Sequence, residues 1–139
     1  MAARIEEVMT RNPTSLTADA TLVAAARTMK DLDIGNVVVV EDGRPIGIVT
    51  DRDIVVRGLG AGRAPDATSL REISSMDLTT LGPRDDVDAA AKLMRDKAVR
   101  RLPVVDGDTV VGIVSLGDLA QRRDLGSALA EISAARPNR

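Results

Sequence analysis

Gly47-Ile48-Val49-Thr50-Asp51-Arg52-Asp53 and Gly112-Ile113-Val114-Ser115-Leu116-Gly117-Asp118 are one phrase written twice, 65 positions apart. Outward from it, the same offset lays Val39-Val40 on Val104-Val105, Ala24-Ala25-Ala26 on Ala89-Ala90-Ala91 and Met29 on Met94. Residues 12–54 therefore fall on residues 77–119 without a gap. An offset that keeps both apolar and polar matches over so long a stretch marks a duplicated supersecondary unit. Each half alone would bury little surface, so a chain of 139 residues is expected to fold its halves together.

In each half an alanine-rich segment (Thr21 to Leu32; Val87 to Lys97) sets Leu22, Ala25, Ala26 and Met29, or Val87, Ala90, Ala91 and Met94, at i, i+3, i+4 and i+7. That spacing is the apolar stripe of an amphipathic helix. A β-branched run follows (Asn36 to Val40; Leu102 to Val105), then a turn rich in Asp and Gly, then a second such run (Pro45 to Thr50; Thr109 to Ser115). The pattern predicts a hairpin. Each second strand runs into a further helix, Asp51 to about Arg57 and Leu116 to about Arg122, and a short extended piece, Thr14 to Leu16 or Thr79 to Leu81, precedes each alanine-rich helix. The unit is β-α-β-β-α, used twice, in the α/β (α+β) class. Gly58 to Ser69 reads as a linker with a helical start, and short helices at Ile5 to Met9 and Leu70 to Ser74 lead into the two units. Asp124 to Ala135 reads as a terminal helix, and Pro137-Asn138-Arg139 as a frayed tail.

Composition narrows the chemistry. Cysteine and histidine are absent, which removes disulfides, thiol chemistry, most zinc sites and the commonest general base. The net charge of -2 argues against a dedicated nucleic-acid or anionic-membrane surface. No apolar run is long enough to span a bilayer and the N-terminus has no signal-like apolar region, so a cytoplasmic protein is expected. Phe, Tyr and Trp are also absent, so the core must be aliphatic and a nucleobase could lie only between aliphatic side chains. The methionines Met9, Met29, Met76 and Met94 read as core filling. Glu6-Glu7, Asp85-Asp86 and Asp31 with Asp33 read as solvated or helix-start acids, with no acid/base pair or metal cluster among them.

The feature that can carry chemistry is the repeated strand-to-helix junction. A hydroxyl (Thr50, Ser115) ends the strand and a carboxylate (Asp53, Asp118) follows three residues later. A helix N-terminus offers unpaired backbone N–H groups that suit a phosphate, and a carboxylate can accept hydrogen bonds from the vicinal hydroxyls of a ribose. The same spacing is equally a helix capping box that needs no ligand. Arg100-Arg101, just before the first hairpin strand of the second half, has the composition of a phosphate clamp and also that of two solvated surface arginines.

Taken together, the β-α-β-β-α unit, the alanine-rich helix, Val99-Arg100-Arg101-Leu102-Pro103-Val104-Val105-Asp106 and the two junctions resemble a tandem pair of CBS (cystathionine-β-synthase) domains, over roughly Ile5 to Arg122. The chain looks like the small stand-alone bacterial CBS-pair proteins, a group that includes those of the hypoxic-response type. The resemblance implies a pseudo-twofold Bateman module, with one CBS domain at 8–66 and the second at 73–130, and with ligand clefts between them. It implies a non-enzymatic regulatory role with no required cofactor, in which an adenine nucleotide (AMP, ADP or ATP) or S-adenosylmethionine binds as the regulatory ligand. It also implies a homodimer that signals to a protein partner. By match to the family motif, Asp53 and Asp118 hold ribose, Thr50 and Ser115 contact phosphate, and Arg100 and Arg101 approach phosphate from the preceding strand, with Arg52 also among the ligand-binding residues. Gly35, Asn36, Val37, Ile48, Leu102, Ile113 and the strand starts Thr14, Leu16, Thr79 and Leu81 frame the base. The halves differ in one respect: Gly35-Asn36 stands where the second half has Arg100-Arg101, so weaker phosphate binding or a different ligand is expected in the first half. The alternative is a protein-interaction module with empty clefts, in which the junctions are caps and no nucleotide binds.

Overall fold

The computed structural model describes residues 3–74 and 78–123. The expected terminal helix at Asp124 to Ala135, the tail after it and Met76 lie outside these. The chain divides into two compact units that do not follow chain order. The first-repeat unit contains residues 14–74 and 78; the second-repeat unit contains residues 3–13 and 79–123.

In the first-repeat unit, β2 (Ser15–Thr17) pairs parallel with β3 (Asn36–Glu41), which pairs antiparallel with β4 (Arg44–Thr50). Helix α1 (Leu22–Leu32) crosses between β2 and β3. Its start is fixed by Thr21, whose hydroxyl accepts from the Ala24 N–H at 3.1 Å, and its end by Asp33 in the left-handed region at φ 55. Of the four expected stripe residues Ala26 is exposed, whereas three are buried, Leu22 and Ala25 fully and Met29 nearly so. These side chains pack with Val37, Val39, Val49, Ile54, Leu70 and Ile73 into an aliphatic core. Full burial of one Leu or Ile stabilises by about 1.5–3 kcal/mol, so Leu22 is a large contributor to holding the helix against the sheet. Asp42 and Gly43, at φ 52 and 78, make the two-residue turn with both central residues left-handed that joins β3 to β4.

The second-repeat unit repeats this plan with α4 (Val87–Lys97), β5 (Arg101–Asp106), β6 (Thr109–Ser115) and α5 (Leu116–Arg123). Its core gathers Leu81, Val87, Ala90, Met94, Leu102, Val104, Val114 and Leu119. Both hairpins carry a register shift at the same place, between Val39 and Val40 and between Val104 and Val105. Two elements depart from expectation. Thr79 to Leu81 forms only a single parallel bridge, Leu81 to Val104, because Pro103 and Pro83 stand where Val38 and Ala18 donate to Thr14 C=O and Val40 C=O in the first repeat, and proline has no N–H. The third strand of this sheet is instead β1 (Thr10–Arg11), which pairs antiparallel with β6. The helix expected from Asp51 to Arg57 is a single α turn, α2 (Asp51–Asp53), that widens into a π turn at Ile54–Gly58 and then tightens into a 3-10 turn at Leu59–Ala61.

The lead-in segments are exchanged. Ile5, in the 3-10 turn Ile5–Glu7, is fully buried in the core of the second-repeat unit, whereas Leu70 and Ile73 of α3 (Leu70–Ile73) complete the core of the first-repeat unit. Each packs on the repeat it does not precede. The backbone bonds match one for one: Ile5 N–H donates to Asp85 C=O at 2.8 Å as Leu70 N–H does to Ala20 C=O at 2.9 Å, and Val87 N–H donates to Ala3 C=O as Leu22 N–H does to Thr68 C=O. Glu7 accepts from the Arg4 N–H as Glu72 accepts from the Ser69 N–H.

Candidate functional site

The repeated junction is built the same way in both units. As the hairpin opens, β3 and β4 leave Asn36 opposite Thr50, and β5 and β6 leave Arg101 opposite Ser115. The first helical N–H is then tied back to the residue before the hairpin: Asp51 N–H donates to Gly35 C=O at 2.9 Å, and Leu116 N–H to Arg100 C=O at 2.8 Å. Gly35, Asn36, Thr50, Arg52 and Asp53 are thereby gathered at one junction, and Arg100, Arg101, Ser115 and Asp118 at the other.

Both junctions are complete capping boxes. Thr50 N–H donates to Asp53 Oδ2 at 2.9 Å while Asp53 N–H donates to Thr50 Oγ1 at 3.1 Å; Ser115 and Asp118 repeat this at 2.8 and 3.1 Å. The cap and a ligand are chemically compatible. The cap uses the hydroxyl as an acceptor, so its O–H can still donate to a phosphate oxygen, and it uses one carboxylate oxygen, so Oδ1 can still accept from a sugar hydroxyl. All four side chains are half-buried, within reach of solvent.

Charge separates the two junctions. Arg100 and Arg101 are exposed, and neither guanidinium has a hydrogen-bond or ion-pair partner among the described residues. At the first-repeat junction the exposed cation is Arg52, with Asp51 beside it. The residues expected to frame a base divide by face. Val37 and Leu102 point into their own cores, Leu81 is in the second-repeat core and Leu16 packs against the first-repeat core. Ile48 and Ile113 lie outside those cores, paired across the hairpins with Val38 and Pro103. Thr14 accepts from the Val38 N–H at 2.9 Å, and Thr79 is half-buried two residues before the Leu81 bridge.

A group the sequence reading did not single out lies at the far end of β3. Arg71 of α3 meets Glu41 in a two-pronged pair, with both N···O distances 2.8 Å, and reaches Asp19 at 3.4 Å. The guanidinium holds the Glu41 carboxyl below its usual range, and the two carboxylates raise the Arg71 pKa. The backbone N–H of Ser69 likewise lowers Glu72. Opposite charges at Glu41 and Arg71 were the only signal, and at a separation of thirty residues it is invisible to local pattern. Among the described residues no group of three or more Asp or Glu could hold a metal ion, and no helix is long and apolar enough to cross a membrane.

Two α/β repeats, each closing a three-stranded sheet with exchanged lead-ins and a capped strand-to-helix junction, define a paired-repeat module. The family model for the CBS domain matches twice, over residues 5–59 and 70–124, and the chain belongs to that family. It is 38% identical over 133 residues to the CBS domain-containing protein YhcV of Bacillus subtilis, a match covering 93% of this chain and 94% of that one. The crystal structure of Hypoxic Response Protein I with two coordinated zinc ions superposes with a TM-score of 0.78 at 31% identity, covering 86% of this chain and 98% of that one. The CBS domain pair of protein MJ0100, in complex with 5′-methylthioadenosine and S-adenosylmethionine, superposes with a TM-score of 0.78 at 23% identity over 88% of this chain and 96% of that one, which shows a shared fold. In family terms a CBS pair is a regulatory module.

Proposed function

We propose that this protein is a non-enzymatic sensor that binds an adenosine-containing ligand at its strand-to-helix junctions and, as a homodimer, passes the occupancy to a protein partner in the cytoplasm. The observation that carries the reading is the twice-built pairing of a hydroxyl and a carboxylate whose capping bonds leave one donor and one acceptor for a phosphate and a ribose. Arg100 and Arg101, exposed beside Ser115 and Asp118, add the charge that a phosphate needs. The fold accommodates such ligands, since the pair from MJ0100 is in complex with two adenosine compounds. Exposed Val55 and Leu59 on one helical stretch supply apolar surface for self-association. Calorimetric titration with AMP, ADP, ATP and S-adenosylmethionine tests the reading; binding of at least one is expected, and no heat from any of them at millimolar concentration overturns it. Because the chain has no aromatic residue, a nucleotide carried through purification would dominate the near-ultraviolet spectrum and could be identified by mass after denaturation.

One observation favours a second reading. The capping boxes are complete without any ligand, as expected of an interaction module whose clefts stay empty. Replacing both Asp53 and Asp118 with Asn then changes stability slightly and leaves partner association intact, whereas in a sensor the same change abolishes the response to ligand.

A further inference from the structure

Met9 and Ser74 occupy matching positions in the exchanged lead-ins, yet they do different things. In the second-repeat unit the Met9 thioether lies against Gly112, where an added Cβ would meet its Sδ at 2.5 Å. In the first-repeat unit the matching residue is the small Ser74, and a concavity of about 420 Å³ opens beside it. It is an open depression lined mostly by exposed side chains. The accessible apolar wall is Val56 and Ala61, with core-buried Ile73 beneath, and the rim is charged, from Arg57, Arg63 and Glu72.

The arginines are held in place without being used up. Arg57 donates through Nη1 to the Ile73 carbonyl at 3.0 Å, and Arg63 donates through Nη1 to Glu72 at 3.3 Å. A guanidinium has five N–H donors, so each keeps most of its capacity while one bond fixes its direction. Glu72 is also occupied by the Ser69 N–H and hydroxyl, which keep it ionised as a partner for Arg63. Two positive groups against one negative leave the rim with an excess positive charge beside an aliphatic wall.

We propose that this concavity binds a small carboxylate with a short aliphatic body, at a place separate from the strand-to-helix junctions. The carboxylate takes a forked pair of hydrogen bonds from Arg57 and Arg63, and the aliphatic part lies on Val56 and Ala61. Sodium butanoate, with butan-1-ol and butylammonium as neutral and cationic probes, can be titrated into the isotopically labelled full chain at fixed ionic strength while the Ala61 and Ile73 amides are followed by NMR. Saturable shifts with butanoate at millimolar concentration, and none with the other two, are expected. Arg57→Gln and Arg63→Gln should each weaken binding about tenfold, the scale of a hydrogen bond to a charged group. Val56→Glu, which sets a negative charge on the exposed wall, should abolish it while the protein still melts cooperatively. Absence of saturation, equal shifts with butan-1-ol, or unchanged affinity in the folded double Arg→Gln variant overturns the proposal. Asp118→Ala should leave butanoate binding intact, so failure of the nucleotide reading and failure of this one are separately visible.

Discussion

At the second-repeat junction, Ser115 and Asp118 stand beside exposed Arg100 and Arg101; at the first-repeat junction, Thr50 and Asp53 stand beside Gly35 and Asn36, with Arg52 and Asp51 on the helical turn itself. The backbone ties are the same in both, down to the N–H that reaches back from residue 51 or 116 to the carbonyl of residue 35 or 100. The two junctions thus share a frame set by main-chain bonds and differ in side chains that the frame does not need. Recognition chemistry can therefore change at one junction without disturbing the fold that holds it.

The comparison breaks most violently if the shared frame is attacked. Leu70→Ala and Ile5→Ala each remove a fully buried side chain and should each cost about 2–5 kcal/mol, read by chemical denaturation. Exchange of the packing assigns the damage: amide exchange should rise first in β5 and β6 for Ile5→Ala, although Ile5 precedes the other repeat, and in β3 and β4 for Leu70→Ala. Damage confined to the repeat that each residue precedes would contradict the exchange.

A more selective change is Asp118→Ala. Loss of hydrogen bonds to a charged acceptor should weaken ribose-containing ligands by about 1.5–3 kcal/mol, against about 1 kcal/mol in stability from the lost cap. A stability loss with unchanged affinity would mean that the carboxylate only caps. Gly112→Val should cost about 1–3 kcal/mol by crowding, since an added Cβ meets the Thr10 carbonyl at 2.9 Å as well as Met9, and its melting temperature should fall accordingly.

The arginines sharpen the contrast between the junctions. Arg100→Ala with Arg101→Ala should weaken ATP or ADP about tenfold, ~1.4 kcal/mol, and change adenosine little, with the difference shrinking as salt rises. Equal losses for adenosine and ATP would assign the arginines a structural role. The smallest effect concerns acid. Glu41 is held below its ordinary value of 4.5 by Arg71, so the pair contributes fully above that range, and its contribution is lost as pH falls through the lowered value. The melting-temperature gap between the native protein and Arg71→Gln should therefore close on acidification from neutral pH to below 4.5.

Much of this architecture was legible because it is local. The stripe Val87, Ala90, Ala91 and Met94 predicts α4 at its observed bounds, and the run Thr109 to Ser115 predicts β6 likewise. The junction was legible as chemistry for the same reason, since cap and carboxylate lie three residues apart. What escaped is nonlocal. The offset of 65 continues through Ile5 and Leu70 and through Glu7 and Glu72, a signal that the two lead-ins are equivalent, but nothing in it says that each packs on the other repeat. The widened turn at Ile54–Gly58 escaped as well; its last residue lies so close to α1 that an added Cβ would meet Leu22 at 2.7 Å, a contact set by tertiary packing. The inward orientation of Val37 and Leu102 follows from the alternation of each strand once its sheet is placed against its helix.

The exchanged lead-ins also bear on ancestry. A forebear with one repeat would have carried a lead-in that could not close its own core, because Ile5 and Leu70 each fill the other repeat. By the packing seen here, a single repeat with its own lead-in would need a second copy giving and receiving that segment to close its core. Within one chain the exchange means that neither repeat can be removed without opening the core of the other, while side chains such as Gly35-Asn36 and Arg100-Arg101 are free to differ.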